Sequence, residues 1–162
     1  MTPMIVGLPR SRTAWLSVFM SQSNTYFHHE AINGCYSLDE YNEKIKGCGD
    51  STTGIDFIPS NNQRIVVIKK NSDELERCIK WCDSEYEIDS RPHVIDSSDK
   101  LSTIKGLVVE QSEINEKLQD IWEYLVDDDW HEKYKAITKM NIQVTDTKIN
   151  VEAAKALYES IQ

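Results

Sequence analysis

Short apolar runs alternate with segments of helical period through the first half of the chain, and helical period dominates the second half. Met4-Ile5-Val6 closes on Gly7 and predicts a strand, with Ile5-Val6 at its centre. From Thr13 to Met20 the pairs Trp15/Phe19 and Leu16/Met20 stand four apart with Ala14 and Val18 between them, a helix with almost no polar face and therefore a buried one. Thr25-Tyr26-Phe27-His28 predicts a second strand. Ser37-Leu38-Asp39-Glu40 is a capping box with Tyr36 and Tyr41 placed to close a staple, starting a helix that runs to Lys46 and ends at Gly47. The glycine- and hydroxyl-rich stretch from Gly47 to Gly54 reads as a loop or short strand. Arg64-Ile65-Val66-Val67-Ile68 is a continuous apolar run of the kind found in buried parallel strands. Ser72 follows as the predicted N-cap of a helix, with Asp73 and Glu74 in its first turn and Leu75, Cys78, Ile79 and Cys82 as its core stripe.

In the second half, His93-Val94-Ile95-Asp96 predicts one more strand. Ile114, Leu118, Ile121, Trp122 and Leu125 form a helical stripe after Ser112, and further helices are predicted over Trp130 to Met140 and over Val151 to Ile161, the last capped by Asn150. Alternating strands and helices imply right-handed βαβ units. The expected fold class is α/β: a three-layer α/β/α arrangement with a small parallel sheet and a mostly helical C-terminal half, a single domain over residues 1–162. Ligands of such sheets sit beyond the carboxyl ends of the strands.

Composition narrows the chemistry. The chain has 162 residues, 40% hydrophobic and 28% charged, as in ordinary soluble domains. A net charge of −9 disfavours duplex nucleic acid or an anionic membrane as a partner. Against that background Arg10, Arg12 and Lys69-Lys70 are local cationic clusters, each beside a predicted strand end, where a small anion could be gripped; solvated surface lysines are the alternative. No signal peptide or long apolar span is visible, and Cys35, Cys48, Cys78 and Cys82 form no C-x-x-C pair. The expectation is a cytoplasmic protein with reduced thiols. A zinc site combining Cys78, Cys82 and His93 lacks recognisable spacing. Asp127-Asp128-Asp129 lacks the continuation of a calcium loop and reads as a solvated turn.

The strongest chemical signal is Gly7-Leu8-Pro9-Arg10-Ser11-Arg12-Thr13-Ala14-Trp15-Leu16. A polar, basic turn between strand and helix puts unpaired backbone N–H groups, two guanidiniums and two hydroxyls at one helix N-terminus, an oxyanion cradle. Aligned on G-x-x-x-x-G-K-[ST], the segment carries Thr13 in place of the lysine and Ala14 in place of the magnesium-binding hydroxyl. The plainer alternative is a basic turn capping a buried helix.

Gly7, Leu8, Pro9, Arg10, Ser11, Thr13, Trp15 and Leu16 together resemble the 5′-phosphosulfate-binding loop of the P-loop sulfotransferases, in which a Pro-Lys/Arg-Ser-Gly-Thr run holds 3′-phosphoadenosine 5′-phosphosulfate (PAPS). Arg12 stands where that family has glycine. The family's Arg-Asp-Pro-x-x-Val-x-x-Ser run, which grips the 3′-phosphate, is matched in frame by Lys70 to Cys78, with Lys70 for the arginine and Cys78 for the serine; Arg77 lies next to it on the helix. Phe27-His28-His29-Glu30-Ala31 is similar to an apolar-His-Glu-Pro run of some bacterial members. Ile121 to Leu125 and Asn141-Ile142-Gln143 resemble the C-terminal part of short bacterial and phage members. The resemblance implies a P-loop fold and sulfuryl transfer from PAPS, with 3′,5′-ADP as product and no metal required, to a small-molecule or glycan hydroxyl or amine.

On that resemblance Gly7, Pro9, Arg10, Ser11, Arg12, Thr13, Ala14, Lys70 and Cys78 hold the donor. Arg10 is also catalytic, with His29 and Glu30, then His28, as candidate bases. Two rival functions stay open: a catalytically silent nucleotide-binding module and a P-loop nucleotide or nucleoside kinase.

Overall fold

The computed structural model describes residues 2–58, 64–132, 134 and 150–161. Five strands, β1 (Met4–Gly7), β2 (Phe27–His29), β3 (Gly49–Thr52), β4 (Ile65–Lys69) and β5 (Leu107–Glu110), form one sheet in the order β2-β3-β1-β4-β5. Every pairing is parallel, and Ile5 lies between Ser51 of β3 and Val66 of β4. The helices are α1 (Thr13–Met20), α2 (Leu38–Lys44), α3 (Ser72–Tyr86), α4 (Arg91–Thr103), α5 (Leu118–Leu125) and α6 (Val151–Ser160).

Strand side chains alternate between faces, and the two faces have separate cores. Ile5, Val66, Ile68 and Val109 pack with Trp15, Leu16, Phe19 and Met20 of α1 and with Leu118, Ile121, Trp122 and Leu125 of α5. Met4, Val6, Ile65 and Val67 pack with Tyr41 of α2, Cys78, Ile79 and Cys82 of α3, Val94 and Leu101 of α4, and Leu157 of α6. The result is the expected α/β architecture, an all-parallel sheet between two helical layers. The chain leaves β1 to one side towards β2 and later crosses to the other side at β4. The carboxyl end of β1, at this reversal, is where sheets of this kind open a crevice for ligands.

Several local expectations are corrected. His93 to Asp96 is not a strand but the first half of α4; Pro92 sits in its first turn, where proline loses no hydrogen bond, and Asp96 pairs with Lys100 one turn on at 3.0 Å. The strand that the sequence reading lacked is β5. It is reached through Gly106, where an added Cβ would lie 2.1 Å from the Ile65 carbonyl oxygen, so only glycine lets the chain enter beside β4. Asn71, not Ser72, caps α3: its side chain accepts from the Glu74 N–H at 2.9 Å while Glu74 accepts from the Asn71 N–H. The helix after Ser112 begins only at Leu118, preceded by a 3₁₀ turn over Gln111–Glu113. Asn150 caps α6 as expected. The helix expected over Trp130 to Met140 and the Asn141-Ile142-Gln143 resemblance lie largely or wholly outside the described residues. No helix among the described residues is long and apolar enough to cross a membrane.

Candidate anion-binding site

The loop from β1 to α1 opens at the carboxyl end of the central strand. The Ser11 N–H donates to the Leu8 carbonyl at 3.1 Å and closes a tight turn. Arg10 and Arg12 both hold left-handed backbone, with φ of 64° and 62°, and Ser11 between them does not. A side chain at such an angle costs about 1–2 kcal/mol, which the surrounding structure must supply. Left-handed residues in such a turn can direct neighbouring backbone N–H groups toward an anion. Arg12 is also the N-cap of α1, and among the described residues no side chain caps the first N–H groups of this helix. Thr13 and Ala14 supply two of them. The backbone of Arg12 is the one a glycine would adopt there.

Ser11 is turned inward. Its hydroxyl is fully buried and has no partner among the described residues. An added Cβ on Gly7 would lie 2.9 Å from the Ser11 Cβ and 3.3 Å from that of Ile68, so Gly7 leaves the space that Ser11 fills. Pro9, half-buried, offers its carbonyl downward, where the Cys78 thiol donates to it at 3.2 Å. Burial pushes the Cys78 thiol up, so it stays protonated. Cys78 therefore braces the loop from below, a different task from the phosphate contact expected of it.

The cations surround the opening. Arg10 is exposed, its guanidinium 5.7 Å from the Trp81 ring centroid. Arg12 lies over Trp15 at 4.2 Å and donates through Nη1 to Asn115 Oδ1 at 2.8 Å. Lys70, at the end of β4, donates through Nζ to the Arg10 carbonyl at 3.1 Å and to Gln111 Oε1. Burial lowers the Lys70 pKa; nearby Cys78 and Glu74 oppose the fall, and the cationic Arg10 and Arg77 add to it.

On the other side of the loop, Thr13 Oγ1 is 3.4 Å from His29 Nε2, which lies 3.9 Å from Glu30 Oε1. Strand alternation in β2 sends His28 the other way, edge-on to Tyr26, so only His29 meets the loop. Burial lowers the His29 pKa, leaving a neutral imidazole able to accept a proton at pH 7. Glu30, itself left-handed at φ 54°, accepts from Thr52 Oγ1 at 2.8 Å and from the Thr53 N–H at 2.7 Å. Burial raises its pKa to about 7 despite those two hydrogen bonds, and nearby Asp50 adds to the rise. Beneath it, Asp50 accepts from the Ala31 N–H at 3.1 Å and the Tyr41 hydroxyl at 2.8 Å, and Ser51 donates to the Thr13 carbonyl at 2.7 Å.

Apart from His28, which turns away, the expected site residues lie along one edge of the sheet, but with unequal roles. Arg10, Arg12, Thr13, Ala14, Lys70, His29 and Glu30 face or flank the opening. Gly7, Pro9, Ser11 and Cys78 shape it from within. Gln111 and Asn115 were missed, because neutral amides after an unrecognised strand carry no sequence signal. The Ser51-Thr52-Thr53 run, expected as a loop or short strand, lies at the end of β3 and holds Glu30 and the start of α1. No group of three or more metal-ligating side chains converges among the described residues. No family model, no curated protein and no solved structure matches this chain.

Proposed function

We propose that this chain is a sulfotransferase-like P-loop protein that binds PAPS at the β1–α1 loop and passes its sulfuryl group to a hydroxyl or amine acceptor. The observation that carries this reading is the left-handed pair Arg10 and Arg12 in the loop between the central strand of a parallel sheet and the start of α1, in a segment lacking a P-loop lysine and a magnesium-binding hydroxyl. PAPS brings an already activated sulfuryl group, so catalysis can come from positioning and charge. The loop N–H groups and Thr13 would hold the 5′-phosphate. Arg10, the exposed cation at the mouth, would face the negative charge that grows on the departing phosphate. Lys70 would meet the 3′-phosphate. His29, neutral and beside the loop, would take the acceptor's proton, with Glu30 behind it.

A second reading, a silent anion-binding module, is favoured by one observation: both Glu30 oxygens, the Cys78 thiol and the Arg12 guanidinium are already engaged within the protein. Titration calorimetry with 3′,5′-ADP, 5′-AMP and ATP, each with magnesium or EDTA, tests the donor site. Tightest binding of 3′,5′-ADP, unaffected by EDTA, is expected; equal or tighter binding of Mg-ATP would move the assignment to a kinase. Labelled PAPS then separates the remaining two, since the silent module binds without transfer to any of a panel of alcohols, amines and glycans.

A further inference from the structure

Two cations of the loop are held by side chains from one short segment after β5. Gln111 Oε1 accepts from Lys70 Nζ, and Asn115 Oδ1 accepts from Arg12 Nη1. Both partners are amides in a chain with 27 acidic residues, and the segment itself contains Glu113 and Glu116, which are exposed and are not the residues that reach the cations. The difference matters chemically. A carboxylate would orient the same cation but cancel its charge, whereas an amide oxygen fixes the direction of the N–H bonds and leaves the full charge for a ligand. The orientation of each amide is settled by chemistry, because an ammonium or guanidinium only donates. The Gln111 NH₂ group has no partner among the described residues, and Gln111 is half-buried beside the mouth.

We propose that Gln111 and Asn115 are positioning residues, a pair of neutral brackets that aim Lys70 and Arg12 at an anionic ligand in the β1–α1 crevice without neutralising them. Lys70 fixes one edge of the crevice at the end of β4 and Arg12 the other at the start of α1, so the bracketed cations suit a ligand with two separated anionic groups. The proposal rests on the anion-site reading above and adds to it residues that no resemblance supplied. It also accounts for the 3₁₀ turn over Gln111–Glu113, which carries the chain from the Lys70 contact to the Arg12 contact.

The test exchanges amide for carboxylate at nearly constant shape: Gln111→Glu and Asn115→Asp, read by melting temperature and by titration with 3′,5′-ADP and 5′-AMP. New ion pairs form in both variants, so the melting temperature should hold or rise. Affinity for 3′,5′-ADP should fall about tenfold in each, the size of one charge-assisted contact. In Gln111→Glu the loss for 5′-AMP should be smaller than for 3′,5′-ADP. Gln111→Ala, which loses the aim but keeps the charge, should lose less than Gln111→Glu.

Unchanged affinity in both carboxylate variants would overturn the proposal. So would an affinity loss seen only in step with a falling melting temperature, which would make the amides structural. If the unmodified protein binds neither nucleotide, the anion-site reading itself has failed and the brackets fall with it. That outcome is distinct, since in the others the unmodified protein still binds.

Discussion

The two halves of the sheet's carboxyl edge are built from opposite chemistry in opposite ways. On the β2–β3 side the charged groups are acids, sunk into the protein with their oxygens occupied: Glu30 by Thr52 and Thr53, Asp50 by Ala31 and Tyr41. On the β4–β5 side Lys70 and, from the loop beside it, Arg12 are steadied by neutral oxygens from Arg10, Gln111 and Asn115, with the Glu74 carboxylate near Lys70. A buried acid with satisfied oxygens holds a proton and a shape; a rim cation beside a neutral partner keeps its charge for something outside. The β1–α1 loop lies between them, touching the acid half through Thr13 and His29 and the basic half through the Arg10 carbonyl. On the proposed function, the first half would handle the proton and the second would receive the anionic donor.

Breaking the basic half at its most exposed member should have the largest effect. On the proposed function, Arg10→Ala should lower sulfuryl transfer by roughly 10²–10³, the cost seen when one preorganised electrostatic donor is removed, while 3′,5′-ADP affinity changes far less. Rate and affinity measured on the same folded variant check this, and unimpaired transfer would take Arg10 out of the mechanism.

Breaking the acid half should show in stability. Folded protein keeps a proton on Glu30 up to about pH 7, whereas the unfolded chain releases it near the ordinary value of 4.5. Between those values the folded state binds more protons, so stability falls as pH rises from 4.5 to 7 and stays lower above. Asp50, also raised by burial, acts in the same direction. Glu30→Gln keeps the acceptor for the Thr53 N–H and can donate to the Thr52 hydroxyl. It should flatten this slope and be more stable than the parent at pH 8 by up to about 3 kcal/mol. Denaturant titrations at pH 5 and pH 8 measure both.

Lys70→Ala sharpens the comparison from the other side. Losing one charge-assisted contact should weaken 3′,5′-ADP by about 1.5–3 kcal/mol. 5′-AMP should weaken less, though not by zero, because Lys70 also braces the Arg10 carbonyl. Equal losses would confine Lys70 to the bracing role. The smallest effect belongs to a pair outside both halves. Arg91 and Glu76 meet at 2.6 and 2.8 Å on the exposed faces of α4 and α3, and such surface pairs contribute little. Arg91→Ala should leave melting temperature and nucleotide affinity unchanged.

What the sequence showed and what it hid divide along the same line as local and non-local information. β1, α1, β4 and the caps of α2 and α6 were legible because their signals lie within a few residues: an apolar run closed by Gly7, a capping box at Ser37 and Glu40, an asparagine before an apolar period. β5 was not, since only Val109 of its four residues is buried and its identity as a strand comes from pairing with β4, about forty positions earlier. α4 was misread because Val94-Ile95 suggested a strand, although Pro92 and the Asp96/Lys100 spacing pointed to a helix. In the site, the charged and hydroxyl residues were legible by type. Their inward or outward direction was not: nothing local says that Ser11 turns to Gly7, or that Cys78 reaches the Pro9 carbonyl. Gln111 and Asn115 became visible only when β5 brought them beside the loop.

The most direct measurement of the central claim is backbone-amide shift mapping during titration with 3′,5′-ADP in EDTA. The proposed anion site predicts saturable shifts concentrated at residues 10–15, with Lys70 and Gln111 following the same curve and Asp50 and Tyr41 staying still. A ligand that leaves residues 10–15 unmoved, or that shifts amides scattered over both faces of the sheet, would contradict it.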